Sequence, residues 1–418
     1  MTYPFDRSLT GKVLCTFFIC GLQFGSQAQT IHPKSTATKV QPQPQKAPEP
    51  VNPYTVIDKR ALLIPDSSTK STTAIASYIN SNFQSNEDKV RAVFIWIATN
   101  IKYDVPNMYV INYYEKQEDK IAKPLQTRQG ICENYAALFT DICVKLGIPA
   151  FVVQGYVKQN NQVLNISHAW SVAKIDTGWY LFDPTWAAGY ASNGAFVAKL
   201  NNSYYKTNPS DFMNEHMPFD PLWQLSYHPA SYADFNNGPV KEDAGKPYFN
   251  FPDSIALYEK QNEIERNQSA YNRMDNNGSR NAQVFNMMLY LRQEIEQAKI
   301  DQYNTAVAYL NDAVNNFNDF IRYRNKQFTP MRPDAEIQAM LDSASNPFSL
   351  AKATLDKIKD PGPNITNTLG SMHRQMKDFY DQLEEQQVWL AKYFSKGKSG
   401  RRSMFYTKLN FFGKPVNQ

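Results

Sequence analysis

The chain of 418 residues is 42% hydrophobic and 20% charged, which excludes global disorder and fits two or three domains. A formal net charge of +5 is mild at this length and gives no argument for nucleic acid. Aromatics reach 13%, with 25 Tyr beside 25 Phe, a balance that suits half-buried surfaces better than a membrane bundle.

In chain order, the first predicted element is an export signal over residues 1–28. Arg7 and Lys12 give a positive start, Val13 to Phe24 an apolar run, and Ser26-Gln27-Ala28 the small residues for a cut after Ala28. The run is too short to cross a hydrocarbon layer of about 30 Å. The expectation is an exported protein, periplasmic or secreted, with an uncleaved anchor as the alternative. Cys15 and Cys20 leave with the signal, so two of the four cysteines remain, Cys132 and Cys143. Residues 29–53, including QPQPQKAPEP, read as an extended Pro/Gln-rich linker.

Folded character begins near Tyr54, and residues 54–232 read as one domain. Apolar residues at helical spacing predict helices over Ser71 to Phe83 and from Asn86 through Ile97. Asn100 to Asp104 leaves the second as a short extended piece, and Asn112 to Lys123 reads as a polar loop. Gly130-Ile131-Cys132 turns the chain into a helix from Cys132 to Lys145, stopped by Gly147-Ile148-Pro149. The pattern then changes to strands: Phe151 to Val157, Ser167 to Ile175 and Trp179 to Asp183, the last two a hairpin around Asp176-Thr177-Gly178. Helices first and sheet second predict an α+β fold with an antiparallel sheet.

Residues 253–395 turn polar and helical again, with Ile255, Leu257 and Tyr258, then Val284 to Ile295, Val307 to Ile321 and Met372 to Phe394 at helical spacing. They predict a separate all-α domain. The tail, 396–418, sets Lys396, Lys398, Arg401 and Arg402 beside Phe405, Tyr406, Phe411 and Phe412. It reads as a solvated basic end, with contact to an anionic envelope surface as the alternative.

Within the first domain, three residues form a candidate catalytic set. On one helix, Cys132 and Cys143 would be roughly 16 Å apart along the axis, well beyond the ~7 Å between Cα atoms that a disulfide needs. An exported chain would then carry two free thiols. The one at the helix start benefits from the positive N-terminal end of the helix, which favours thiolate. Gly130 leaves room for a substrate carbonyl, and the backbone N–H groups around Cys132 would face a developing oxyanion. Of the five histidines, only His168 falls mid-strand in an apolar setting, while His216 and His228 follow the predicted sheet. Asp183 ends the neighbouring strand and can orient the imidazole. Taken singly, a half-buried Cys or a strand His is more often plain core; it is the ordered combination that points to nucleophilic catalysis. Cys143, mid-helix among apolar neighbours, reads as core. No calcium loop, zinc pattern or phosphate loop is evident, so no metal and no cofactor is expected.

Gly130-Ile131-Cys132-Glu133-Asn134-Tyr135, His168-Ala169-Trp170 and Trp179-Tyr180-Leu181-Phe182-Asp183-Pro184-Thr185-Trp186 resemble the transglutaminase-like superfamily, in particular its kyphoscoliosis peptidase-like branch. The stretches Phe94-Ile95-Trp96-Ile97 to Tyr103-Asp104 and His216 to Leu225 match the same branch, so the resemblance covers residues 54–230 or so. It implies a papain-like, transglutaminase-like core and a triad of Cys132, His168 and Asp183. Trp170, Trp186, Tyr103 and Tyr135 then become substrate-groove or supporting residues, with Tyr103 a candidate oxyanion donor. The implied activity is acyl transfer on protein or peptide amides, either hydrolysis or amide crosslinking. The alternative is a non-catalytic transglutaminase-like binding or scaffold protein of the cell envelope.

Overall fold

The computed structural model describes residues 52–110, 112, 114–278, 280–359 and 361–406, without the side chains of residues 363 and 364. The expected signal, all but the end of the linker, and residues 407–418 lie outside the described residues, and with them Cys15, Cys20, His32, Phe411 and Phe412.

The first helices are α1 (Thr55–Ala61), α2 (Thr72–Asn82) and α3 (Asn86–Asn100). Serine caps set two of the starts: Ser71 Oγ accepts from Ala74 N at 3.1 Å, and Ser85 Oγ from Asp88 N at 3.0 Å. Strand β1 (Lys102–Tyr103) pairs in parallel with β2 (Gln129–Gly130), which sets Tyr103 opposite Gly130. Between them, the expected polar loop is largely helical: α4 runs Gln117–Thr127. Glu118 and Asp119 suit its positive N-terminal end, and Lys120, Pro124 and Leu125 are its buried stripe. With so few apolar residues the helical period is hidden in the sequence.

The central helix α5 (Cys132–Lys145) begins where Asn134 Oδ1 accepts the Ile131 N–H at 2.8 Å. Asn134 Nδ2 donates to Lys120 O at 2.9 Å and ties α4 to that start. Gly130 has to be small, because a Cβ there would lie 2.7 Å from Asn134 Cβ. Phe139 and Ile142 of α5 pack with Ile75 and Ile79 of α2 and Phe94 and Ile97 of α3 in the first core.

The sheet is antiparallel, in the order β5-β4-β3-β8: β3 (Ala150–Gln159), β4 (Gln162–Ile175), β5 (Gly178–Phe182) and β8 (His216–Pro218). Strand alternation sends Ala150 and Ala173 to the α5 side and Val153, Trp170 and Val172 to a second core. Between β5 and β8 lie α6 (Pro184–Ala188), the hairpin β6 (Gly189–Ser192) and β7 (Ala195–Ala198), and α7 (Pro209–Phe212). The expected strands, hairpin and α+β order are all present. Asp183 departs in detail: it stands one residue past β5 and caps α6.

Further helices are α8 (Tyr232–Asn237), α9 (Phe251–Lys260), α10 (Glu263–Asp275), α11 (Ala282–Asn325), α12 (Asp334–Asp342), α13 (Ser345–Leu355), α14 (Pro363–Phe394) and α15 (Lys398–Ser403). The two periodic runs from Val284 and Val307 belong to one helix of 44 residues, α11. The described part of the tail is helical and in part packed, while its basic residues Lys398 and Arg402 remain exposed. Arg401 forks onto Asp334 at 2.7 and 2.6 Å, and the Phe405 ring lies 5.8 Å from that of Phe328.

Candidate active site

Asp183 is the hub of the site. Its Oδ1 accepts the backbone N–H groups of Thr185 at 2.8 Å and Trp186 at 3.0 Å, the donors that the start of α6 leaves free. Its Oδ2 lies 2.8 Å from His168 Nε2 and 3.0 Å from His216 Nε2. Asp183 and His216 are fully buried, and Cys132 and His168 nearly so.

These contacts set the charges. Burial works against the Asp183 carboxylate, but His168 and His216 outweigh it and hold the acid well below the usual carboxylate range. For His168, burial disfavours the charged ring; the Asp183 charge and hydrogen bond, followed by the Cys132 thiol, overcome this and raise it to about 10. With Nε2 turned to Asp183, Nδ1 is the nitrogen left to face a nucleophile. Cys132 opens α5, and its neighbours are Ala136, Ala169 and Val152.

The other expected site residues divide by environment. The Trp186 ring centroid lies 5.5 Å from that of His168, and the Trp170 centroid 6.0 Å. Trp170 is fully buried in the core with Val153 and Leu181, whereas Trp186 is half-exposed. Burial, then the charges of Cys132 and Asp183, push the Tyr103 phenol far above its ordinary range, so it stays protonated and able to donate. Tyr135 is committed elsewhere, its hydroxyl donating to Ile101 O at 2.6 Å. Cys143 is fully buried, and burial alone drives its thiol far up.

One residue of the cluster is absent from the sequence-predicted set. His216 opens β8 at the edge of the same sheet, opposite Val157, so it does not lie beyond the sheet as expected. Three residues ending in Pro218 are too short to show alternation, which is why the strand was invisible in sequence. Among the described residues, His168, Asp183 and His216 are also the group whose ligand-type atoms cluster within 4.8 Å. Both ring nitrogens aim at one carboxylate oxygen, which is hydrogen-bond geometry. His228 bonds Lys246 O through Nδ1 at 2.9 Å and takes no part.

A family model of the transglutaminase-like superfamily matches residues 73–184. The chain is 32% identical to the kyphoscoliosis peptidase of Mus musculus over 161 residues, 37% of this chain and 24% of that protein. It is also 32% identical to the Homo sapiens kyphoscoliosis peptidase over 158 residues, 36% of this chain and 23% of that one. The chain therefore spans about a quarter of the length of the curated relatives it matches. A solved TGase structure, 19% identical, superposes at a TM-score of 0.23 over 38% of this chain and 40% of that one. Cys132, His168 and Asp183 all fall inside the matched stretch: residues 73–184 are a transglutaminase-like superfamily domain, and the relatives are consistent with the kyphoscoliosis peptidase branch.

Proposed function

We propose that the protein is a thiol acyl-transfer enzyme acting on protein or peptide amides, with Cys132 as nucleophile, His168 as base and acid, and Asp183 as the group that orients His168. The observation that carries this reading is the buried 2.8 Å bond from His168 to Asp183, with the Cys132 thiol among the groups that raise the same imidazole. The name of the kyphoscoliosis peptidases supports an amide substrate.

In this scheme the Cys132 sulfur, its proton passed to His168, adds to an amide carbonyl. The oxyanion is met by backbone N–H groups at the start of α5 and by the Tyr103 hydroxyl. The tetrahedral intermediate breaks its C–N bond, and His168 gives its proton to the departing amine. The resulting thioester is resolved by water or by a second amine, with His168 again taking the proton. Export belongs to the same proposal, supported by the charge and apolar pattern of residues 1–28; N-terminal sequencing of the mature chain should then begin at Gln29.

The test uses iodoacetamide near pH 6, read by peptide mass mapping. Cys132 should label several-fold faster than Cys143, whose thiol is fully buried and held protonated. Equal or slower labelling of Cys132 sinks the proposal. A screen of amide hydrolysis and amine incorporation, with Cys132→Ala as control, identifies the acceptor. Turnover that survives the substitution would remove Cys132 as nucleophile, whereas no turnover in the wild type and a biological role that Cys132→Ala leaves intact would favour the non-catalytic scaffold reading.

A further inference from the structure

The triad leaves His216 unexplained. Its ring is fully buried, its Nε2 lies 3.0 Å from the Asp183 oxygen that His168 also uses, and its Nδ1 has no hydrogen-bond partner. Aromatic rings enclose it: Phe212 stacks at 4.0 Å between centroids, Trp186 lies at 4.5 Å and Trp170 meets it edge-on at 5.2 Å. A buried imidazole with an acceptor at one nitrogen and nothing at the other places its single proton on the bonded nitrogen. Its apolar enclosure also opposes a second proton, and burial lowers its proton affinity. Glu215, its neighbour in sequence, is occupied by the Tyr204 hydroxyl at 3.0 Å.

We propose that His216 is a positioning residue: as a neutral ring it donates its Nε2–H to Asp183 Oδ2 and tempers the hold of that oxygen on the proton of His168. A carboxylate oxygen shared between two N–H donors attracts each proton less than it would attract one alone. The groups facing His168 are Asp183, His216 and Cys132, and Tyr103 faces Asp183 and Cys132 in turn. With Oδ2 given to His168 alone, the imidazolium would be held more tightly and would return its proton more slowly to a leaving amine. Sharing brings His168 closer to neutrality, where a group that both takes and gives a proton works best.

This rests on the reading of His168 as the acid–base residue, but its test does not need the reaction. Ring NMR on the full chain, labelled with carbon-13 and nitrogen-15 in histidine, reports the tautomer of His216 and the pH midpoint of His168. The expected result is the Nε2–H tautomer of His216 across neutral pH. His216→Phe, which keeps a ring in the aromatic enclosure but has no donor, should move the His168 midpoint up by about one pH unit, roughly tenfold in proton affinity. His216→Gln, whose side-chain N–H can reach the same oxygen, should stay near the wild type. A His168 midpoint that His216→Phe leaves in place or lowers overturns the proposal, as does an Nδ1–H or doubly protonated His216 near pH 7. Where His216→Phe does not fold, His216→Met gives the same readout, and the wild-type tautomer decides on its own. A wild type whose Cys132 labels no faster than Cys143 would remove the acyl-transfer reading and still leave the His168 midpoint to judge His216.

Discussion

Asp183 receives four hydrogen bonds, two from the backbone at the start of α6 and one from each of two histidines. A carboxylate so satisfied stays ionised even without water, and the pair it forms with His168 ties stability to pH. His168 is raised from an ordinary 6.5 to about 10, so its contribution is fully present below 6.5 and is lost as pH climbs towards 10. Asp183 is lowered from an ordinary 3.8, so its contribution is present above that value and fades as pH falls through its folded value. The difference in melting temperature between wild type and His168→Gln should therefore be widest near pH 6 and narrow by pH 10. Thermal unfolding at both pH values checks this, and a gap of constant size would show that the bond carries no charge-dependent stability. At this scale the sequence marked Cys132, His168 and Asp183 as candidates, because each sits on or just past an element whose pattern is readable. It hid His216, because the strand that carries His216 is defined by its partner rather than by its own residues.

Gly155 shows how an element delivers such a residue. It stands in β3 between His168 of β4 and Pro218 of β8. A methyl group there would run into Met217 O, the Trp170 ring and Pro218 Cα. Only a bare Cα lets β8 approach closely enough to bring His216 to Asp183 while Trp170 lies across the strand. Two of the three obstacles are backbone and cannot rotate away. Gly155→Ala should thus cost about 3 kcal/mol and lift the edge strand. Urea unfolding measures the cost, and an unchanged midpoint would mean that β8 has slack. The sequence marked β3, β4 and β5 through their apolar alternation and the turn at Asp176, which takes φ +54°. It misread α4 because a helix anchored by Lys120, Pro124 and Leu125 buries too few apolar residues to print a period.

At the level of the whole described chain, the apolar cores do not part at residue 253. Ile255 of α9 packs with Val153, Trp170 and Leu181 of the sheet, and Met274 of α10 with Val284, Met287 and Leu291 of α11 packs with Tyr156, Met217 and Phe219. Arg273 of α10 also forks onto Asp220, just after β8, at 2.7 and 2.6 Å. A cavity of about 240 Å³ at the same junction is lined by Glu133, next to Cys132, and also by Met274 and Met287. The later half of α11, from Ala306 to Tyr323, joins a different core with α12, α13 and α14. A chain ending at residue 252 should consequently fail to unfold cooperatively, whereas one ending at Lys299 should keep a cooperative transition. Circular dichroism melts of the two decide it, and a sharp native-like melt of the shorter chain would place the helices outside the folding unit of the site.

The sequence alone determined the α+β order, the strand hairpin, the helix that begins at Cys132 and the candidate triad, since each follows from local periodicity, turn chemistry or short-range spacing. The tertiary structure decided what depends on residues far apart in the chain. It joined β8 to β3, folded α4 against α5, ran two apolar stretches into one long helix, and set His216 and His168 on the same oxygen of Asp183. The physical reason is the same in each case: a three-residue edge strand, a mostly polar helix and a neutral buried imidazole gain their stability from partners and carry little pattern of their own.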